Sequence, residues 1–387
     1  MLRKHFKALM LAITIVCGFG LLWGNLIEVY KKEMIELNPE KEFGIDTDWS
    51  DPGFYKLSSI VVSTDGRLFA SISNQHKICK FDLNGKLLKT FSQKGQGPGD
   101  TYYPSKLSIL DVKYLVVSEY STNRRISLFD LDGNFYKLVK TNYSVNDVVG
   151  LKDGKIAITS ISYSNDHEKI SVYIKDIITG VEKCVTTSVE KMRKIKTDKL
   201  IIRSPFQKRC FICKAAGGNL LMGFNDSNII TLYSPQGEKI NSFELNIKPI
   251  PVTGTIVSKI KEGYIRYVHD GEKINSAMRR AYKSFGDLLG ENLPLYSYIL
   301  TDEEGNILVF YYNGYDKSNK PAFQVYSLHG DYICNCVLDF RNFNNELMNF
   351  KFKKRIAIIR GCLFGIMSFS DGDDSYLKII KVNLKHL

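Results

Sequence analysis

The chain has 387 residues, of which 44% are hydrophobic and 12% aromatic. That is ample for a packed core and excludes an intrinsically disordered protein. The formal net charge is +12, from 53 basic and 41 acidic side chains, but it is spread along the chain. The densest basic run, KMRKIKTDK at 191–199, reads as a solvated loop rather than a nucleic-acid surface.

The first element is an apolar segment. MLRKHFK carries Arg3, Lys4 and Lys7, and residues 8–23 hold no charge. A cationic start before an apolar run is the pattern of an export signal or a signal-anchor. Gly18 and Gly20 offer small residues for cleavage, but Leu21, Leu22 and Trp23 continue the apolar run past them, which favours an uncleaved anchor. Val16 is too large for a lipoprotein site at Cys17. Positive residues hold their end inside, so the chain beyond the segment is expected outside the cytoplasm, with the membrane as a partner through residues 1–24. An exported chain leaves no place for nucleic acid as a partner.

After an isolated strand candidate at 34–37 (MIEL), a unit begins to repeat. Asp65-Gly66 leads through RLFASIS and ICKFDL to Asn84-Gly85 and then KLLKTF. Lys113-Tyr114 leads through LVVSEY and ISLFDL to Asp132-Gly133 and then NFYKLV, with no gap between the two copies. Positions 66 and 85, 114 and 133, and 218 and 237 share one spacing. Looser units start at Asp153-Gly154, Glu304-Gly305 and Gly361. Asn-Gly and Asp-Gly between short runs rich in Ile, Val, Tyr and Phe are hairpin signals, because both turn residues take positive φ. Four antiparallel strands per unit, repeated six times, predict an all-β chain: a six-bladed β-propeller. The sixth unit runs out after its third strand, so 34–37 is expected to pair beside 377–382 and close the last blade. The domain plan is then a signal peptide or signal-anchor at 1–24 and a propeller over 25–387, with a helical insertion at about 253–292.

Between the first two units lies FSQKGQGPGDTYYP, residues 91–104. It reads as the crossover that carries the chain from the outer strand of one blade to the inner strand of the next, with glycine and proline setting unusual backbone angles. The Asp-Gly turns, Asn74-Gln75-His76-Lys77-Ile78, Asn123-Arg124-Arg125-Ile126, the Phe-Asp-x-x-Gly turns and this crossover together resemble the NHL-repeat-like six-bladed propellers. The resemblance spans about residues 34–387 and implies a bacterial, exported or envelope-bound member. It does not imply a reaction, because such propellers serve as enzymes, lectins and scaffolds alike.

Candidate chemistry is sparse. In the insertion, Ile274, Ala277, Met278, Ala281, Tyr282, Phe285 and Leu288 recur at helical spacing, with Arg279, Arg280 and Lys283 opposite. They predict a helix over 272–289 that packs across a blade or forms a lid. Cys210-x-x-Cys213 suggests half of a zinc site, but on a strand the two sulfurs point to opposite faces. With Cys17 set aside, seven cysteines remain; they read as small buried residues, with a disulfide between blades as the alternative. Asp371-Gly372-Asp373-Asp374 reads as a solvated hairpin tip rather than a calcium loop. The six histidines show no ligand spacing, and no nucleophile elbow or phosphate loop is present. The expectation is a non-enzymatic scaffold for a peptide, glycan or protein, with no catalytic, metal or cofactor residue assigned. The alternative is a metal-dependent hydrolase or lyase at the central channel. An enzyme needs three or four His, Asp or Glu side chains at one mouth, whereas a scaffold presents Ser, Thr, Tyr and aliphatics.

Overall fold

A computed structural model describes residues 25–38, 57–120, 123–196, 201–269, 279, 282–311, 321–339, 347–349, 356–371 and 374–384. The apolar segment at 1–24 lies outside them. Among the described residues no helix is long and apolar enough to cross a membrane.

The chain forms six four-stranded antiparallel blades in a ring. Blade one is β2 (Leu57–Val62), β3 (Leu68–Ile72), β4 (Lys77–Phe81) and β5 (Leu87–Phe91). Blade two is β6 (Pro104–Leu110), β7 (Tyr114–Glu119), β8 (Arg125–Asp130) and β9 (Phe135–Lys140). Blade three is β10 (Asp147–Gly150), β11 (Lys155–Ser164), β12 (His167–Asp176) and β13 (Glu182–Lys191). A hairpin, β14 (Lys194–Lys196) and β15 (Ile201–Arg203), follows it. Blade four is β16 (Cys210–Lys214), β17 (Leu220–Phe224), β18 (Ile229–Tyr233) and β19 (Lys239–Glu244). After the insertion, blade five is β20 (Tyr296–Thr301), β21 (Ile307–Tyr311), β22 (Ala322–Tyr326) and β23 (Tyr332–Asp339). In blade six, β24 (Leu347–Asn349) and β25 (Ile356–Ile359) share one edge of β26 (Cys362–Asp371), and β27 (Asp374–Asn383) takes the other.

The turns show why these runs become hairpins. Asp130 Oδ1 accepts from the backbone N–H groups of Asp132 and Asn134, both at 2.9 Å, and so folds the β8–β9 turn. Gly133 completes that turn at φ 80°, and a Cβ there would stand 2.7 Å from Phe91 of the neighbouring blade. Alternate residues then leave each sheet on opposite faces, and each face packs on the next blade.

Six cores fill the six junctions. Phe69, Phe91 and Phe129 join blades one and two. Val116, Leu128, Ile156 and Ile158 join two and three, while Ala157, Val172, Ile212 and Leu220 join three and four. Leu221, Ile299 and Tyr326 join four and five; Phe310, Phe323, Ile358 and Val382 join five and six. The ring closes where Leu57, Leu68 and Phe81 meet Cys362, Phe364 and Ile366. Each fully buried large aliphatic or aromatic residue contributes about 1.5–3 kcal/mol, so closure is a property of all six seams together.

The N-terminal strand joins the ring, but not beside 377–382. β1 (Met34–Glu36) runs parallel to β23, with Met34 opposite Val337 and Glu36 opposite Asp339, and makes blade five a five-stranded sheet. The reason lies just upstream. Helix α1 (Leu26–Tyr30) buries Leu26 and Tyr30 completely in the seam between blades five and six. The Tyr30 hydroxyl donates to Asp302 at 3.0 Å, its ring meets Phe323 edge-on at 5.7 Å, and the Leu26 N–H donates to Glu304 at 3.0 Å. With α1 fixed there, the next residues reach the outer edge of β23, which β1 covers. Residues 377–382 pair only with β26 among the described residues.

Of the helix expected over 272–289, Arg279 is helical and the described C-terminal part takes a tighter winding. The insertion's long helix is α2 (Gly254–His269), ahead of that range, and Tyr282–Leu288 forms a 3₁₀ segment; 270–278 and 280–281 lie outside the described residues. Tyr282, Phe285 and Leu288 are three residues apart, which is one face of a three-residue turn, and all three are buried. They form a satellite core with Ile202 and Ile260, tying the insertion to the β14–β15 hairpin.

Candidate binding site in the axial channel

The inner strands β2, β6, β10, β16, β20 and β25 surround a channel of about 620 Å³, a size suited to a small organic ligand. Its walls carry hydroxyls and aliphatics: Ser59, Ser108, Ile109, Ile212, Leu300 and Ile358 are representative. The Ser108 hydroxyl accepts from the Gly150 N–H at 2.8 Å and the Ser59 hydroxyl from the Leu107 N–H at 3.2 Å, so these serines also join neighbouring blades.

One mouth is formed by the turns between first and second strands. Glu303 accepts from the Arg360 N–H at 2.5 Å and the Gly361 N–H at 2.7 Å, and the Arg360 guanidinium donates to the Thr64 carbonyl at 2.8 Å. These contacts link blades five, six and one. The Asp302 carboxylate accepts from Tyr30 and from Asn306.

Strand register places one ring of residues at this mouth. Val62, Ile109, Gly150, Lys214, Thr301 and Ile358 stand opposite Leu68, Leu115, Ile156, Leu220, Ile307 and Leu363, the matching positions of the six repeats. Lys214 is the ionisable member of that ring. Burial pulls its amine below the ordinary lysine value, and the Asp111 charge opposes that shift. Its backbone carbonyl is taken by Thr301 at 2.5 Å. Cys213, beside it, is pushed up to about 12 by burial, so its thiol stays protonated.

The opposite face is built from the crossovers. Here the glycine-rich stretch wraps around Arg125. The Arg125 guanidinium donates to Glu119 at 2.6 Å and to the carbonyls of Gly95, Gln96 and Asp100 at 2.9, 3.0 and 3.2 Å. A Cβ on Gly95 would lie 2.2 Å from Asp100 Oδ2, so a side chain there would push the loop open. Asn123 adds hydrogen bonds to Glu119 and the Tyr102 carbonyl. His76 is buried between Tyr102 and Tyr103, and its Nδ1 accepts from the Tyr103 N–H at 3.0 Å. The two sequence motifs are therefore two halves of one clamp.

A second cavity of about 480 Å³ sits between blades three and four and the insertion. Lys208 spans it, bonded to Glu190 at 2.6 Å and Asp226 at 2.9 Å and lying 4.8 Å over the Phe224 ring. Burial lowers that amine, but the two carboxylates outweigh burial and raise it. Burial raises Glu168 at the same cavity, against hydrogen bonding from Tyr163 and the charges of Arg209 and Arg203.

The remaining sequence candidates fall apart in space. Cys210 packs between blades three and four and Cys213 between four and five, on opposite faces of β16. The seven described cysteines are free thiols. Asp371 faces Asp374 at the end of the β26–β27 hairpin, with 372–373 outside the described residues. Of 191–199, Lys194 pairs with Asp166 at 2.6 Å and 197–199 lie outside the described residues. Among the described residues no three His, Cys, Asp or Glu side chains gather in a metal-binding group. Lys214 and the second cavity were missed. Lys214 was legible in the repeat alignment, where CFICK ends with a charge at a position other units give to Val, Ile, Gly or Thr. The second cavity has no local signal, because it joins segments from six parts of the chain.

The fold is that of the six-bladed β-propellers. The chain is similar to a member of the DUF4221 family from Bacteroides vulgatus, at 13% identity and a TM-score of 0.53, over 89% of this chain and 97% of that one. It is also similar to a Bacteroides fragilis protein named as a candidate for export, at 14% identity and a TM-score of 0.48, over 90% and 99%. A calcium-binding regucalcin from Agrobacterium tumefaciens matches at 10% identity and a TM-score of 0.46, over 90% and 96%. At these identities the likeness shows the fold alone. No family model and no curated protein matches the chain.

Proposed function

We propose that this chain is an extracytoplasmic binding scaffold of the cell envelope, held at the membrane by residues 1–24, with its ligand site in the axial channel. The observation that carries the reading is the channel itself: a preformed space of about 620 Å³ with hydroxyl and aliphatic walls, fixed by six packed seams. Preformed walls lower the ordering cost of binding. Peptides, glycans and exposed protein segments are the ligand classes that such a scaffold serves. The extracytoplasmic placement is supported by Arg3, Lys4 and Lys7 ahead of the uncharged run at 8–23.

The test is a channel plug. Ala357 lines the channel on β25, and Ala357→Trp fills the space beside it. Peptide and glycan arrays are probed with the full-length protein and with this variant, both shown to be folded by circular dichroism. Binders that lose at least about tenfold in affinity on plugging support the channel. Binders indifferent to the plug place the site elsewhere and defeat the reading. Protease accessibility in intact and permeabilised cells checks the placement; protection in intact spheroplasts would defeat it.

A further inference from the structure

We infer that Lys214 makes the channel an acceptor for the carboxylate end of an amphiphile, a long-chain acyl carboxylate whose tail lies along the aliphatic wall. The inference rests on the channel reading above and adds an acyl carboxylate to the ligand classes named there.

The charges at this mouth divide cleanly. Glu303 is occupied by the Arg360 and Gly361 N–H groups, Arg360 by the Thr64 carbonyl, and Asp302 by Tyr30 and Asn306. Asp111, whose charge acts on Lys214, spends its Oδ2 on the Gly154 N–H at 2.8 Å. The Lys214 amine makes no hydrogen bond or ion pair within the described residues. A half-buried ammonium without a partner is costly to hold in place. A ligand carboxylate supplies a charge-assisted bond there. The other members of the Lys214 ring, Val62, Ile109, Gly150, Thr301 and Ile358, offer no charge of their own. One unspent charge above walls where aliphatics alternate with hydroxyls, Ser59 and Ser108 among them already bonded between blades, fits a single acidic head and an apolar tail.

The direction of chain entry points the same way. The Leu26 N–H is held by Glu304, in the same turn as Asp302 and Glu303 at this mouth. The residues read as a membrane segment therefore lead into the propeller beside the Lys214 opening. If residues 1–24 anchor the chain, it enters on the side of this opening, and the bilayer would be the source of the acyl carboxylate.

The experiment uses the full-length protein in lipid nanodiscs, with lysines reductively methylated with ¹³C and the Lys214 resonance assigned by its loss in Lys214→Arg. The probes are decanoate and its neutral isostere 1-decanol. Decanoate is expected to shift the Lys214 resonance saturably and to raise its titration midpoint by about one pH unit, the smaller end of what one close opposite charge does. Decanol is expected to leave that midpoint in place. If Lys214 does not respond to decanoate, or responds equally to decanol, the inference is overturned. The channel reading is judged separately: in Ala357→Trp the array binders and the decanoate response must both weaken. An array loss without any Lys214 response sinks only the acyl-carboxylate assignment.

Discussion

Two cations mark the two ends of this molecule, and they are used in opposite ways. Arg125, on the crossover face, donates to one carboxylate and three carbonyls. Lys214, at the channel mouth, sits half-buried with its amine unbonded among the described residues, while Asp111 acts on it only through charge. A cation with four of its five donors consumed by its own chain is part of the architecture. A cation held in a cavity with its donors unspent is available to something that the chain does not contain.

That contrast is sharpened first by removing the guanidinium at the centre of the clamp. Arg125→Leu leaves Glu119, 1% exposed, without its counter-ion and frees three backbone carbonyls. Breaking a buried pair in this way costs about 3–5 kcal/mol, and chemical denaturation should show a loss of that order. A loss under about 1 kcal/mol would mean that the clamp is a surface ornament.

Tyr30→Phe probes the N-terminal seam, with a smaller expected effect. It removes the donor to a buried Asp302 carboxylate and should cost about 1–3 kcal/mol, read from the denaturation midpoint. An unchanged midpoint would show that α1 is held by its apolar contacts alone.

Asp302 also makes stability depend on pH. Burial raises its carboxyl above the ordinary 3.8, outweighing the hydrogen bonds from Asn306 and Tyr30. The folded chain thus keeps this proton to higher pH than the unfolded chain, and stability falls as pH rises from 3.8 to the folded value, then levels. Asp302→Asn should flatten that slope in a pH series of denaturation curves, whereas an identical slope in the variant would assign the effect to other groups.

Lys214→Met is the counterpart of Arg125→Leu and should have the least effect on folding. Removing an unpartnered, half-buried charge changes stability by no more than about 1 kcal/mol, in the stabilising direction if at all. A loss as large as that of Arg125→Leu would erase the distinction between the two cations.

The repeat was readable because hairpin chemistry is local. The turns at Gly66 and Gly85, Gly133, and Gly218 and Gly237 fixed the strand count and with it the propeller. The Gly95–Asp100 stretch and the Asn123–Ile126 stretch were each visible, but not that one grips the other, since that contact spans up to 30 residues through a single guanidinium. The destination of 34–37 was misread because it is set by where Leu26 and Tyr30 find a seam, with Tyr30 and Asp302 272 residues apart. In the insertion, the winding of 282–288 was misread because Tyr282, Phe285 and Leu288 satisfy both an α-helical and a three-residue period. Histidine and cysteine drew attention in the sequence, whereas the charge at the channel mouth was a lysine in an otherwise apolar repeat position.

A high-resolution structure of the full-length protein, isolated from its own membrane without added ligand, tests the central claim most directly. The account predicts elongated density along the axis, ending in an acidic head within about 3 Å of Lys214 Nζ. A channel holding only water, or ligand density confined to the cavity beside Lys208, would contradict it.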